Sequence, residues 1–260
     1  MKVLIYLTAT ILSCICLLTA CEKEAADWTF STDDTMADLS FNDIYNVMSG
    51  EDDANNTLRA CASLTLSSTT FPITVTADFN GTTGCGDGRV RSGVLTAVYS
   101  GRWNSPGTTV TVTTSDYTVN GYRVEGTNII TNTSTTGNPS FSSEIQNGKI
   151  TTPDGDIILR EANKNYEWTE GSATPLDLSD DVWQMVGNSS GTTSSGKDYT
   201  AEITTPVIKA NSCNWIQHGV IEITPSASGS VMRSVNYGPN VCDNIASVSY
   251  GNWTANITMN

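Results

Sequence analysis

Histidine and basic residues are scarce in this chain. Of its 260 residues one is a histidine, His218, and 13 are Lys or Arg against 27 Asp or Glu, so the formal net charge is −14 at pH 7. Thinly spread positive charge argues against nucleic-acid binding and against electrostatic attachment to anionic lipid. A single histidine, with no two cysteines beyond residue 21 lying two to four residues apart, also fits none of the usual zinc patterns.

Sequence motifs of several common catalytic sites are missing as well. There is no phosphate-binding loop and no His-Glu-x-x-His helix, and we expect His218 to be a strand-edge residue without a chemical role. Glycoside hydrolysis needs only two carboxylates and stays open. Its candidate residues are Glu125, Asp154, Asp156, Glu161 and Glu167. Because none of them is singled out, we predict that the protein is not an enzyme and uses no cofactor and no metal.

An export signal occupies the start of the chain. Lys2 precedes an apolar run over residues 3–18, which ends in Leu18-Thr19-Ala20-Cys21. This layout is typical of a signal peptide, and its end resembles the lipobox of bacterial lipoproteins, whose cysteine is lipidated and becomes the mature N-terminus. We predict a signal peptide over 1–20 and acylation of Cys21, which would hold the protein to the bilayer. The alternative is an uncleaved transmembrane helix.

Four of the seven cysteines lie in the body of the chain: Cys61, Cys85, Cys213 and Cys242. In an oxidising compartment they allow three pairings. We prefer Cys61 with Cys85 and Cys213 with Cys242, because each of these bonds closes a loop of modest length within a locally repeated unit.

Acidic and small polar residues follow Cys21, and they predict a flexible acidic tether over 21–37. Within it, Asp34-Thr35-Met36 matches the short acceptor motif for O-glycosylation in Bacteroidota-type bacteria. Thr35 is therefore a candidate glycosylation site, and a solvated linker without modification is the alternative.

One helix is predicted at about 38–49. Phe41, Ile44, Tyr45 and Met48 recur at helical spacing, and Ser40 is suited to cap the N-terminus. A helix of three turns is not stable alone in water, so we expect its apolar stripe to pack on a sheet.

Apolar and polar residues alternate from Cys61 onward, as in 71–77 and 109–113, which indicates strands with one buried face. Three dipeptides are typical of hairpin turns. They are Asn120-Gly121, Asn147-Gly148 and Asp154-Gly155. We predict one all-β domain over 38–260: a large antiparallel meander that forms a sandwich or a half-open barrel, with the short N-terminal helix packed on it.

Aromatic rings and polar loops are the candidate binding features. Trp103, Trp168 and Trp215 lie on or beside predicted strands and could stack on sugar rings, although most tryptophans belong to cores. The loops 78–87 and 236–244 are rich in oxygen ligands, and calcium is an alternative to ordinary turn formation there.

A family resemblance covers most of the chain after the signal. The chain resembles a set of lipoproteins abundant in Bacteroidota-type bacteria. The motifs that carry it are Phe71-Pro72, Asp78-Phe79, Gly84-Cys85, residues 88–93 and 119–127, Pro153-Asp154-Gly155, Cys213 with Trp215, and Tyr237-Gly238 before Cys242-Asp243-Asn244. The resemblance implies an outer-membrane lipoprotein, on the periplasmic or the cell-surface face, and supplies no catalytic residues.

Together these features predict a membrane-anchored, non-enzymatic lipoprotein with a structural or binding role at the cell envelope. Its expected partners are the lipid bilayer, through acylated Cys21, and a glycan or an envelope protein. A glycan-binding module is the first alternative, and a glycoside-active enzyme is the second.

Overall fold

A computed structural model describes residues 27–49, 61–81, 85–86, 88–174, 177–213 and 215–259. Within these ranges one α-helix, α1 (Thr29–Ser49), precedes thirteen strands. The strands are β1 (Ser63–Leu66), β2 (Ile73–Asp78), β3 (Arg91–Tyr99), β4 (Thr109–Val119), β5 (Tyr122–Asn132), β6 (Ser140–Thr151), β7 (Ile157–Glu170), β8 (Val182–Thr192), β9 (Asp198–Ala210), β10 (His218–Pro225), β11 (Arg233–Pro239), β12 (Ile245–Tyr250) and β13 (Trp253–Thr258). A 3-10 turn (Leu178–Asp180) lies between β7 and β8.

All thirteen strands form one antiparallel sheet whose spatial order is the chain order. Register shifts interrupt the pairing at several places between β3 and β11. Bulges of this kind bend strands and increase their twist, and here the sheet curls around the helix without closing on itself. The predicted antiparallel meander with a helix packed on it is confirmed, as one curled sheet.

The hairpin dipeptides have two different roles. Asn120-Gly121 joins β4 to β5, and both residues have positive φ, 50° and 84°, as a tight hairpin turn requires. The same turn predicted at Asn147-Gly148 is wrong. These residues lie within β6, where Asn147 has φ 52° and forms a bulge opposite β7. A residue that accepts positive φ suits a bulge as well as a turn, so the dipeptide alone does not distinguish the two.

Helix α1 crosses the concave face of the sheet. Near its start the Phe30 ring meets the Tyr199 ring of β9 edge-on, with 6.1 Å between centroids. At its end the carbonyl oxygen of Met48 accepts a 2.7 Å hydrogen bond from the hydroxyl of Tyr99 in β3. Apolar residues of α1 and of the inward strand positions are buried together, so the helix fills the core of the domain.

The helix begins nine residues before the predicted boundary. Asp27 Oδ1 accepts a hydrogen bond from the backbone N–H of Thr29, which caps the helix, whereas the hydroxyl of Ser40 donates within the helix to the carbonyl of Met36. The prediction of a flexible tether over 21–37 is therefore wrong for residues 29–37, which are helical. The predicted cap at Ser40 is also wrong, because Ser40 lies inside the helix. Segment 29–37 lacks a strong apolar stripe. Asp34 is instead paired with Arg160 of the sheet, and Asp33 accepts a hydrogen bond from the backbone N–H of Ser194.

Both predicted disulfides are confirmed. Cys61 is bonded to Cys85 with 5.1 Å between their Cα atoms, and Cys213 is bonded to Cys242 with 5.7 Å. The first joins the segment before β1 to the loop after β2, and the second joins the loops that follow β9 and β11.

The predicted signal peptide over 1–20 and the lipidation site Cys21 lie outside the described residues. None of the helical segments that are described has the length and apolar character needed to cross a membrane.

Candidate functional site

A buried ionic cluster joins α1 to β7. The guanidinium of Arg160 donates to the carboxylates of Asp34 and Asp38, and Lys164 Nζ lies 2.6 Å from Asp38 Oδ2. The hydroxyl of Ser189 in β8 donates to Asp34 Oδ1 at 3.3 Å. All of these side chains are buried, because residues 160 and 164 occupy inward positions of β7.

A second buried cluster surrounds Asp43, farther along α1. Arg91 Nε donates to Asp43 Oδ2 at 3.0 Å, and Arg89 forms an ion pair with Asp43 Oδ1 at 2.7 Å. The hydroxyl of Tyr117 donates to Asp43 Oδ2 at 2.6 Å. One carboxylate of the helix is therefore bound by three side chains: Arg91 of β3, Tyr117 of β4, and Arg89, which precedes β3.

The pKa values of Asp38 and Tyr117 keep each of these two groups in one protonation state near neutral pH. Burial alone would raise the pKa of Asp38, but the adjacent charges of Arg160 and Lys164 outweigh it and lower the pKa below its ordinary value of 3.8. Burial raises the pKa of Tyr117 well above 10, and the neighbouring Asp43 raises it further. Groups that keep one protonation state near neutral pH hold structure and are poor acid–base catalysts. We therefore interpret the inner clusters as structural.

Asp181, at the start of β8, titrates closer to neutral pH. Burial and the nearby carboxylates of Asp180 and Asp177 raise its pKa to about 6, against the opposing effect of a hydrogen bond from Trp168. Trp168 Nε1 donates to Asp181 Oδ1 at 3.1 Å. The contacts of this carboxylate therefore position the side chain of Trp168.

A polar trough lies on the opposite, outer face of the sheet, across β6 to β10. It consists of two adjoining open cavities of about 540 and 580 Å³, which share Glu161, Ser190 and Thr200. Outward-pointing side chains of five strands line the cavity of about 540 Å³. They are Glu144, Glu161, Asn163, Asn188, Ser190, Thr200, Glu202, Glu222 and Thr224.

Strand pairing sets the order of these side chains. Glu144 lies opposite Asn163, Asn163 opposite Asn188, Asn188 opposite Glu202, and Glu202 opposite Glu222, so one row crosses all five strands. Directly opposed residues on one face of an antiparallel pair have Cβ atoms roughly 5 Å apart. The row therefore presents acceptors and donors at regular intervals over about 20 Å.

The trough is suited to hydrogen bonding. Carboxylates accept hydrogen bonds, and the amides of Asn163 and Asn188 both donate and accept them. Two of the carboxylates are already oriented, because Glu144 Oε1 accepts from the amide of Gln146 at 2.7 Å and Glu161 Oε1 from the backbone N–H of Asn147 at 2.8 Å. Among the residues that the structure describes, no group of three or more His, Cys, Asp or Glu is arranged to hold a metal ion.

The tryptophans predicted to stack on ligands do not line this trough. Trp103 stacks on Phe141 and Trp168 on Trp183, with 4.7 and 5.4 Å between ring centroids, and all four belong to or pack against the core. Trp215 is also half-buried against the core. Ligand stacking at these three residues stays a prediction, and their packing against the core makes it unfavourable.

Thr35 lies on α1 among the residues that the sheet surrounds. It is half-buried, the preceding Asp34 is bound to Arg160, and its hydroxyl interacts with the buried hydroxyl of Tyr237. This environment leaves little room for a sugar on the folded chain. Glycosylation of Thr35 stays a prediction, and the helix makes it unfavourable.

His218 and a Gly-x-Ser-x-Gly stretch both lie within strands of the sheet. His218 starts β10, and its Nδ1 lies 2.8 Å from the carbonyl oxygen of Gly238 in β11, as a strand-edge residue would. Residues 187–191 read Gly-x-Ser-x-Gly, but they lie within β8, and the middle Ser189 points inward to Asp34. A nucleophile elbow needs a strand-to-helix turn with an exposed serine, so this stretch is not one.

The five glycosidase candidates have different surroundings. Glu161 lines the trough, whereas Glu125 pairs with Lys149 at 3.0 Å and Glu167 accepts a hydrogen bond from Asn138 at 2.9 Å. Asp154 and Asp156 belong to the turn between β6 and β7.

The two oxygen-rich loops contain ordinary turns where they are described. Asp78, Asn236 and Asp243 each accept a hydrogen bond from a backbone N–H two residues farther on, at 2.8 to 2.9 Å. These are Asx-type contacts of turn-forming residues, and residues 82–84 and 87 of the first loop lie outside the described ranges.

The buried cations and the polar trough were both missed by the sequence reasoning. A signal existed for the cations, because Arg160 and Lys164 occupy the apolar phase of an alternating strand. The trough had no such signal, since polar residues on a wet strand face are expected in any sheet.

In comparisons with known proteins, the chain matches no family model, no curated protein and no solved structure.

Proposed function

We propose that this protein is a non-enzymatic lipoprotein, anchored in the outer membrane through acylated Cys21, with a structural or binding role at the cell envelope. The resemblance to Bacteroidota-type lipoproteins and the export signal suggest this location. The proposal involves no cofactor and no nucleic acid.

The position of α1 is the observation that best supports this role. It is the first described element after Cys21, and it is bound inside the sheet by ion pairs to Arg91, Arg160 and Lys164. Acylated Cys21 would precede the start of this helix by eight residues, and the concave interior is filled by the protein itself. Such an arrangement suits a firmly tethered scaffold whose partners bind outside.

Replacing Cys21 by alanine tests the anchor. The wild-type chain, expressed in a bacterium that processes lipoproteins, is expected to incorporate labelled palmitate and to sediment with membranes. The C21A variant should lose the label, because no other group on the mature chain takes its place. As a matched control, the variant C14A/C16A, changed within the predicted signal, should keep it. An unlabelled wild-type chain would refute the proposal.

Glycan binding is a second candidate function, and the outer trough is the observation that favours it. Amide, hydroxyl and carboxylate groups spaced along five strands match the donors and acceptors of a polyhydroxylated chain. In this mode of binding, the glycan forms hydrogen bonds with the row of polar residues that includes Asn163 and Asn188. It does not stack on Trp103, Trp168 or Trp215.

A glycan array tests this candidate. For any glycan that binds, N163A/N188A is expected to weaken binding by about tenfold or more, because each lost hydrogen bond contributes roughly 0.5 to 1.5 kcal/mol. The control N165A/Q184A changes outward amides of the same two strands outside the trough and should leave affinity unchanged. An array on which the protein binds nothing would eliminate this candidate.

A further inference from the structure

The described chain begins at one end of the sheet, among residues of the C-terminal strands. Asp27 Oδ2 lies 2.8 Å from Lys197 Nζ, in the turn between β8 and β9. The carbonyl oxygen of Asp27 accepts a 3.2 Å hydrogen bond from Arg233 Nε, at the start of β11. The described chain therefore begins between β9 and β11.

The distance from Asp27 to the proposed anchor is short. Six residue steps separate Cys21 from Asp27, and an extended chain covers at most about 3.3 to 3.6 Å per residue, or roughly 20 Å in all. If Cys21 is acylated, as proposed above, the end of the domain that carries Asp27 cannot be farther than this from the lipid surface.

An apolar patch lies at this same end. Val231 and Met232 close the turn between β10 and β11, and they are 42% and 45% exposed. Trp253 opens β13 opposite Tyr250 and is 37% exposed. A methyl group added at Gly251 would lie 3.8 Å from Val231 Cγ1, so the two turns adjoin. We refer to Val231, Met232, Tyr250 and Trp253 as the apolar tip.

Arg233 connects the apolar tip to the start of the described chain. Its Nη1 donates to the carbonyl of Val231 at 2.7 Å, and its guanidinium lies 4.5 Å from the centre of the Tyr250 ring. The same side chain holds the carbonyl of Asp27. The patch and the start of the described chain are therefore parts of one surface.

The charge distribution distinguishes this surface from the rest of the acidic chain. Neither the turn 226–232 nor the turn 251–252 contains a charged residue, although the whole chain carries −14. Two cations lie at this surface: Arg233, which contacts Val231 and Tyr250, and Lys197, which pairs with Asp27. Aliphatic side chains beside a tryptophan, a tyrosine and flanking basic residues are the usual composition of a protein surface at the membrane interface.

We propose that the apolar tip docks on the lipid bilayer beside the acyl anchor and orients the sheet with its far end away from the membrane. The occupant of the patch is the headgroup and upper acyl region of the lipid. This inference rests on the proposed acylation of Cys21, which brings the tip within reach of the bilayer. A few side chains would not hold the protein to a membrane alone, so the acyl chains attach it and the tip sets its orientation.

Quenching by brominated lipid tests the contact. The acylated full-length protein, purified from membranes, is inserted into phosphatidylcholine vesicles with or without bromine on the acyl chains. Tryptophan fluorescence of the wild-type protein is expected to be quenched by bromine, and W253F should lose most of that quenching. As a matched control, W215F changes a half-buried tryptophan at the other end of the strands and should keep it.

Hydrogen exchange gives a second measurement that does not depend on tryptophan. Amides of 226–232 should exchange more slowly in the vesicle-bound protein than in soluble C21A. The variant V231S/M232S should remove this difference. The variant V241S/I245S changes two aliphatic residues of similar exposure, 52% and 47%, at the far end of the sheet and should keep it.

The outcomes separate the two proposals. Acylated protein without Trp253-dependent quenching and without slowed exchange would refute docking and leave the anchor intact. Slow exchange of 226–232 that appears without vesicles and grows with protein concentration would assign the patch to a second copy of the chain. Protein that carries no acyl chain would refute the anchor and the docking together.

Discussion

Replacing Arg160 by alanine is expected to lower the free energy of unfolding by about 3 to 5 kcal/mol. The change removes a fully buried guanidinium and leaves the carboxylates of Asp34 and Asp38 in the core with fewer partners. An uncompensated buried charge costs several kcal/mol, because the interior cannot replace the water that it has lost. Urea denaturation followed by circular dichroism measures the effect.

Matched variants separate burial from charge. R123A removes an arginine that is 47% exposed and pairs with Asp116 at 2.8 Å, and it should change stability by about 1 kcal/mol or less. R160K keeps the charge but lacks the planar guanidinium that reaches two carboxylates. Its loss in the free energy of unfolding should therefore lie between the losses caused by R160A and R123A. If R160A were as stable as R123A, the buried cluster would not hold α1 in the sheet.

Removal of either disulfide is expected to lower the free energy of unfolding by about 3 to 4 kcal/mol in the chain-entropy model. The bonds span 24 and 29 residues, and each closes a loop that the unfolded chain would otherwise explore freely. The double variants C61S/C85S and C213S/C242S, compared with the wild-type chain under oxidising conditions, measure the two losses.

The reduced wild-type chain supplies an internal control. Dithiothreitol should lower the stability of the oxidised wild-type protein by an amount close to the sum of the two double variants, and it should not affect a variant that lacks all four cysteines. Iodoacetamide should label none of these cysteines in the denatured, unreduced protein. Free labelling would contradict both bonds.

Local sequence patterns were sufficient to predict most of the strands of the sheet. In β3 the residues alternate between buried and half-buried positions, as in Leu95, Thr96 and Ala97, and this alternation is a property of neighbouring residues alone. The Asn120-Gly121 turn also depends only on its own φ angles. Because consecutive strands were joined by short turns, the meander followed directly from the order of the strands along the chain.

Prediction from local patterns failed where the same residues are compatible with two different local structures. Asn147-Gly148 suits either a hairpin turn or a bulge, and the contact of its backbone N–H with Glu161 in β7 selects the bulge. Trp103 and Trp168 suit either a wet face or a core, and their stacking on Phe141 and Trp183 selects the core. In each case the deciding contact comes from another strand.

Strand period, turn chemistry and cysteine spacing are local quantities, and so the antiparallel meander and both disulfides could be deduced from the residues alone. The start of α1 could not, because segment 29–37 becomes a buried helix only when Asp34 meets Arg160, 126 residues away. Neither the clustering of Glu202 with Glu222 nor the junction of Val231 with Gly251 is visible in the chain order. Those contacts depend on how the bulged sheet curls, and curvature is set by packing over the whole domain.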